Sequence, residues 1–278
     1  LIMYNKQHNT GEQNVGTTKE LPTVISFCSG YGGIERGLDI AGIKHRVIAY
    51  VEIEAFAIAN LVEKMESGKL DPAPIWTDLK TFPSEIFSGK VDLITGGYPC
   101  QPFSQAGKRK GAEDERHLWP YIRKHIQAIK PNRCFFENVE GHISLGLSTV
   151  ISDLAEDGFR TAWGIFSARE VGAPHQRKRV FIMANTNSQR HQRPPGSRST
   201  KEKGQPIRQF AKHNEELVPG FPSRPDQQQY HWERPRTQPR LGRTVDGYSN
   251  RSDRLQLLGN GVVPQTAAKA WLTLTEQV

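Results

Sequence analysis

Short apolar runs recur along residues 23–184, separated by glycine, proline and clustered charge, and each run has the length of a strand or of one helix face. Strands are expected at 23–28 (TVISFC), 47–51 (VIAYV), the short 75–76 (IW), 91–94 (VDLI), 134–136 (CFF), 161–166 (TAWGIF) and 180–184 (VFIMA). Between them the period changes. Leu118, Tyr121, Ile122, His125, Ile126 and Ile129 recur at i, i+3, i+4, i+7, i+8 and i+11, an amphipathic helix that stops before Pro131. Helices are also expected at 34–41, 55–64, 147–157 and, after Pro264, at 265–273. Residues 1–21 are polar and aliphatic-poor, as a disordered leader would be, and 185–245 turn to Arg, Gln, Pro and Ser with isolated aromatics.

Polar residues gather where the runs end. The first strand leads into Ser29-Gly30-Tyr31-Gly32-Gly33 and then a helix, a turn that can bring backbone N–H groups against a nucleotide-like ligand. A glycine cluster alone equally fits any tight strand-to-helix turn. Glu52, about twenty residues on, closes the second strand where a carboxylate can accept ribose hydroxyls, and Asp78 follows the third. The fourth strand delivers GGYPCQPFS (96–104): Pro99 restricts Tyr98 and itself, so Cys100 leaves the strand in a defined direction. By itself such a cysteine is more readily a packed small hydrophobe. Glu137, in the ENV string ending the fifth strand, would have its pKa raised by desolvation beside Phe135 and Phe136. Arg177 and Arg179, two apart before the apolar 180–184, would share one face if the strand has begun, and one could reach Glu137.

Charge is local. The chain of 278 residues carries a formal +8, yet 175–260 hold 17 Lys and Arg against 7 Asp and Glu, leaving the remainder slightly acidic. A basic segment on a neutral scaffold suits a polyanion-binding face. Three scattered cysteines, Cys28, Cys100 and Cys134, give neither a disulfide framework nor a zinc pattern and fit a reducing compartment. There is no apolar stretch resembling a secretion signal in 1–20, nor any run long enough to span a membrane, so a cytoplasmic protein without membrane contact is expected.

In order along the chain, the stretch 27–38, Glu52, Asp78, and the stretches 97–104, 137–139, 172–179 and 259–264 resemble the DNA (cytosine-5)-methyltransferase family, prokaryotic or phage type. Pro-Cys-Gln alone is a weak match, whereas these ordered blocks, spanning about 25–184 and 250–276, are highly specific. The resemblance implies an α/β, Rossmann-like AdoMet-dependent methyltransferase fold with a mainly parallel, seven-strand-type sheet and a small irregular target-recognition region. The catalytic domain would be 22–184 plus 250–278, with recognition at 185–249. S-adenosyl-L-methionine (AdoMet) would be the methyl donor, with no metal. The catalytic residues implied are Cys100, Glu137 and Arg179, with Arg177 assisting. The cofactor residues implied are Phe27, Ser29, Gly30, Tyr31, Gly32, Gly33, Glu52, Ile53, Asp78, Leu79, Gly97, Pro99, Asn260 and Val262. Gln101, Ser104, Lys108 and Arg109 belong to a loop that would close over a cytosine flipped out of double-stranded DNA. A monomer suffices for that chemistry, and a cognate restriction endonuclease acting on the same site is an expected partner. The chain departs from the family at Ser26, often acidic, at Ile53, commonly aromatic, and at His175, usually glutamine.

Three rival readings remain. The tRNA-modifying branch carries a Cys-Phe-Thr signature in its recognition region, but 185–278 contain no cysteine. A catalytically silent DNA-binding protein would have no need of Cys100, Glu137 and Arg179 together. A dinucleotide oxidoreductase would want a fuller glycine pattern and has no use for the Pro-Cys-Gln and Glu-Asn-Val pair.

Overall fold

The computed structural model describes residues 21–99, 118–186, 257 and 259–278. Seven strands form one sheet: β1 (Thr23–Phe27), β2 (Arg46–Val51), β3 (Ile75–Trp76), β4 (Leu93–Gly96), β5 (Arg133–Val139), β6 (Phe159–Ser167) and β7 (Lys178–Thr186), in the order β3-β2-β1-β4-β5-β7-β6. Neighbours from β3 to β5 pair in parallel, while β7 runs antiparallel to both β5 and β6. The helices are α1 (Gly33–Ile40), α2 (Ala55–Glu66), α3 (Trp119–Ile129), α4 (His142–Leu145), α5 (Leu147–Glu156) and α6 (Pro264–Thr275).

Alternation along each strand feeds two cores. Ile25, Ile94, Cys134, Phe136 and Ile182 face α3 and α5, where Ile122, Ile126, Val150 and Leu154 cover them. Val24, Leu93, Phe135, Phe181 and Met183 face the other way, against Ile34 and Leu38 of α1 and Ala270, Trp271 and Leu274 of α6. The first helix and the last are in direct contact, and a Cβ on Gly37 would meet Ala267 at 2.7 Å. The chain steps outward from β1 to β2 and β3, then returns to the opposite side of β1 as β4. That reversal leaves a crevice at the C-terminal ends of β1 and β4, the position at which ligands bind in open α/β sheets.

Most elements differ from the sequence reading by a residue or two at an end, and three of these differences bear on the site. β4 begins at Leu93 rather than at residue 91, because the Asp92 carboxylate is engaged by the Thr23 backbone N–H (2.9 Å) and the Asn132 side chain (2.9 Å), outside the ladder. β5 continues through Glu137, Asn138 and Val139, since β7 pairs with it as far as Val139 opposite Arg179. β7 starts at Lys178, so Arg177 is not in the strand; its φ of 37° is left-handed, and the expectation that Arg177 and Arg179 share a strand face is overturned. The expected leader and recognition region fall almost wholly outside the described residues. Among the described residues no helix is long and apolar enough to cross a membrane.

Candidate functional site

At the end of β1 the backbone turns left-handed at Cys28 (φ 49°), Gly30 (φ 55°) and Gly32 (φ 76°), and α1 starts directly after. The Gly30 N–H points across the crevice and donates to Glu52 Oε2 at 2.7 Å. Oε1 of Glu52 accepts the N–H groups of Ile53 and Glu54, both at 2.9 Å. Three backbone donors therefore fix this carboxylate, and Oε2 keeps room for a ligand hydroxyl.

The crevice deepens into a cavity of about 560 Å³. Of the expected cofactor residues, Phe27, Ser29, Gly30, Tyr31, Gly33, Glu52, Ile53, Gly97, Pro99, Asn260 and Val262 line it, and Glu137 and Arg179 line its other side. Gly32, Asp78 and Leu79 are not in that lining. A Cβ on Gly32 would meet Leu70 of the second core. The Asp78 carboxylate turns back to accept the Lys80 N–H at 2.9 Å, and Leu79 is buried with its carbonyl accepting from His125 Nε2 at 2.6 Å.

Glu137 sits in β5 opposite Phe181, one diagonal step from Arg179. Arg179 Nε lies 2.9 Å from Glu137 Oε1 as an ion pair off the ideal hydrogen-bond angle, and among the described residues Oε1 has no better-aligned donor. Burial pushes the Glu137 carboxyl up to about 7, opposed by the positive charges of Arg179 and Arg177. This group can hold a proton near neutrality. Arg177 goes elsewhere, and its guanidinium donates to the carbonyls of Gly259 (2.7 Å) and Gly261.

Sequence reasoning missed several neighbours. Cys28 lines the cavity, its thiol pushed up to about 12 by burial and by Glu52. Glu35, buried in α1, accepts from the Thr95 hydroxyl at 2.6 Å. Tyr98, which precedes Pro99, has its carbonyl held by Asn138 Nδ2 at 3.0 Å and its hydroxyl 3.1 Å from His142 Nε2. Burial moves His142 down to about 4, so the ring is neutral. Spacing gives no hint of this last pair, because the two residues meet only when β4 and β5 lie side by side. Cys100, Gln101, Ser104, Lys108 and Arg109 lie outside the described residues.

The arrangement combines a ligand crevice built on backbone donors with a buried, protonatable carboxyl beside a guanidinium. A family model for C-5 cytosine-specific DNA methylase matches residues 22–240. The type II methyltransferase M.NgoMIV of Neisseria gonorrhoeae is 32% identical over 169 residues, covering 59% of this chain and 52% of its own length. M.NaeI of Lentzea aerocolonigenes is 32% identical over 168 residues, 59% of this chain and 40% of its own. The chain thus spans about half, or less, of the curated relatives it matches. Among solved structures, a DNMT2 mutant from Spodoptera frugiperda superposes with a TM-score of 0.51 at 22% identity, covering 65% of this chain and 54% of its own. The methyltransferase EhMeth of Entamoeba histolytica gives 0.50 at 21% identity, with 63% and 56% covered, and these two share the fold.

Proposed function

The chain belongs to the C-5 cytosine-specific DNA methylase family, and on that premise we propose that it methylates C5 of a cytosine flipped out of a specific duplex DNA sequence, with AdoMet as donor. The reading rests most on one observation: Glu137, with its carboxyl raised to about 7, and Arg179 occupy the same cavity as the Gly30–Glu52 crevice.

Cytosine C5 is a poor nucleophile. In the proposed reaction the Cys100 thiolate adds to C6, and the electron pair displaced toward C5 makes that carbon able to attack a methyl group. Protonated Glu137 donates to N3 as negative charge develops there, and Arg179 holds the O2 edge and the carboxyl. AdoMet, when bound, supplies an electrophilic methyl on a sulfonium leaving group. Loss of the C5 proton to a base and breakage of the C6–S bond then return the thiolate. Glu52, the Gly30 turn, Ile53, Asn260 and Val262 are the residues that would hold the donor, and the cavity's size and the fixed Glu52 carboxylate suit a nucleoside. Arg177 would serve the closing wall rather than the base, given its carbonyl partners. The basic 185–249 region would meet phosphates and base edges of the DNA. The type II relatives make a restriction endonuclease of the same specificity the expected partner.

The test is transfer of labelled methyl from AdoMet to mixed-sequence duplex DNA, with tRNA in parallel. Label on DNA C5 that falls to background in Cys100→Ala is the expected result. Label on tRNA alone would move the chain to the RNA-modifying branch, and AdoMet binding without transfer would favour a silent binder.

A further inference from the structure

One wall of the cavity comes from the far end of the chain, where Leu257, Asn260, Gly261 and Val262 face the glycine turn. The contact is close and specific. The Tyr31 hydroxyl donates to the Val262 carbonyl. Gly261 has no room for a Cβ because the Tyr31 ring fills that space, and a Cβ on Gly33 would run into the Val262 carbonyl. Tyr31 is itself held from behind. Lys64 of α2 donates from Nζ to the Tyr31 carbonyl at 2.6 Å and sits 4.6 Å from the ring centroid, a cation–π geometry. Lys64 does not line the cofactor cavity; it lines a second one, which Tyr31 and Gly32 also border.

We propose that Lys64 is a positioning residue for the donor site: it fixes Tyr31, and Tyr31 latches the 259–262 segment as the closing wall of the cavity. The inference rests on the AdoMet-binding reading above. It goes beyond that reading because it makes donor affinity depend on a side chain that the donor never touches. Burial raises the Tyr31 hydroxyl to about 12, so it remains a donor throughout the working pH range. Arg177, holding the Gly259 and Gly261 carbonyls, steadies the same segment from the other side.

The experiment measures AdoMet affinity by calorimetry on the full chain, together with kcat at saturating AdoMet and the melting temperature. Tyr31→Phe removes one hydrogen bond and should weaken AdoMet binding about fivefold. Lys64→Met should weaken it in the same direction, Lys64→Arg should restore affinity to within about twofold, and kcat at saturation should hold. The double variant Tyr31→Phe with Lys64→Met should lose less than the sum of the two, as expected for one chain of contacts. A purely structural role would lower the melting temperature and leave the affinity of the remaining folded protein unchanged; that outcome, or additive losses, overturns the latch. If the wild type itself binds no AdoMet, the methyltransferase reading fails and this inference with it. Wild-type binding with an unaltered Tyr31→Phe affinity sinks the latch alone.

Discussion

Glu52 and Glu137 stand near the C-terminal ends of β2 and β5 and line one cavity, 7% and 5% exposed. Around Glu52 the backbone supplies three N–H donors from two separate turns. Around Glu137 the strand's own N–H groups are spent on the sheet, and the carboxylate faces the Arg179 guanidinium at 2.9 Å with no backbone donor on it among the described residues. Burial alone therefore does not decide what a carboxylate does. Burial among backbone donors locks the orientation of the Glu52 side chain, whereas burial that outweighs its cationic neighbours leaves Glu137 with a proton available near neutrality.

The contrast can be broken most forcefully at Glu137. Glu137→Gln should lower kcat by about 10²-fold or more while leaving AdoMet affinity unchanged. In the wild type the proton is held below about pH 7 and lost above it, so the rate should carry a descending limb there that the glutamine variant lacks. The same shift bears on folding. With the carboxyl raised from 4.5 to about 7, the folded state takes up a proton between those values. This group's contribution to stability is greatest at the acid end and declines as pH rises through about 7. A pH–rate profile that is identical in both proteins would remove Glu137 from the proton-transfer role.

Glu52→Gln should have the complementary signature: AdoMet affinity about tenfold weaker, because a charge-assisted acceptor is lost, with kcat at saturation little changed. An amide in this position also turns an N–H toward one of the three backbone donors, so the melting temperature should fall. If Glu52→Gln instead lowered kcat alone, the two carboxylates would have exchanged roles. The smallest expected effect is a change of position rather than of size. Arg179→Met removes the nearest charge opposing the desolvation of Glu137, so the descending limb should move to higher pH. A limb that stays in place would mean the guanidinium does not act on this carboxyl.

Much of this was available in the sequence because period and punctuation are local properties. The alternation of 23–28 and the helical spacing of 118–129 mark elements that the structure contains at nearly those bounds. The acidic residues at strand ends were likewise visible, and two of them line the cavity. What stayed hidden depended on pairing. The start of β7 at Lys178 is set by its ladder to Ser167, and no feature of 172–179 announces that Arg177 takes a left-handed backbone just before it. Asp78 looked equivalent to Glu52 in the linear order. Its strand, however, is two residues long at the sheet's edge, and its side chain caps the turn that follows. His142 and Tyr98 carry no motif that joins them, and the Lys64–Tyr31–Val262 contact links positions whose separation in sequence says nothing of proximity.

The contact between α1 and α6 has a consequence for how such a molecule is made. The apolar stripe of α1, Ile34 and Leu38, is covered by α6, and Gly37 exists in a space shaped by Ala267. During synthesis α1 therefore emerges ahead of its covering helix and stays bare until residues 264–275 have followed it. Through that interval the stripe is a surface for chaperones, or for aggregation with a neighbouring chain. The wall of the cavity lies immediately ahead of α6, so the cavity is complete only once this segment, distant in sequence from the glycine turn, has been made.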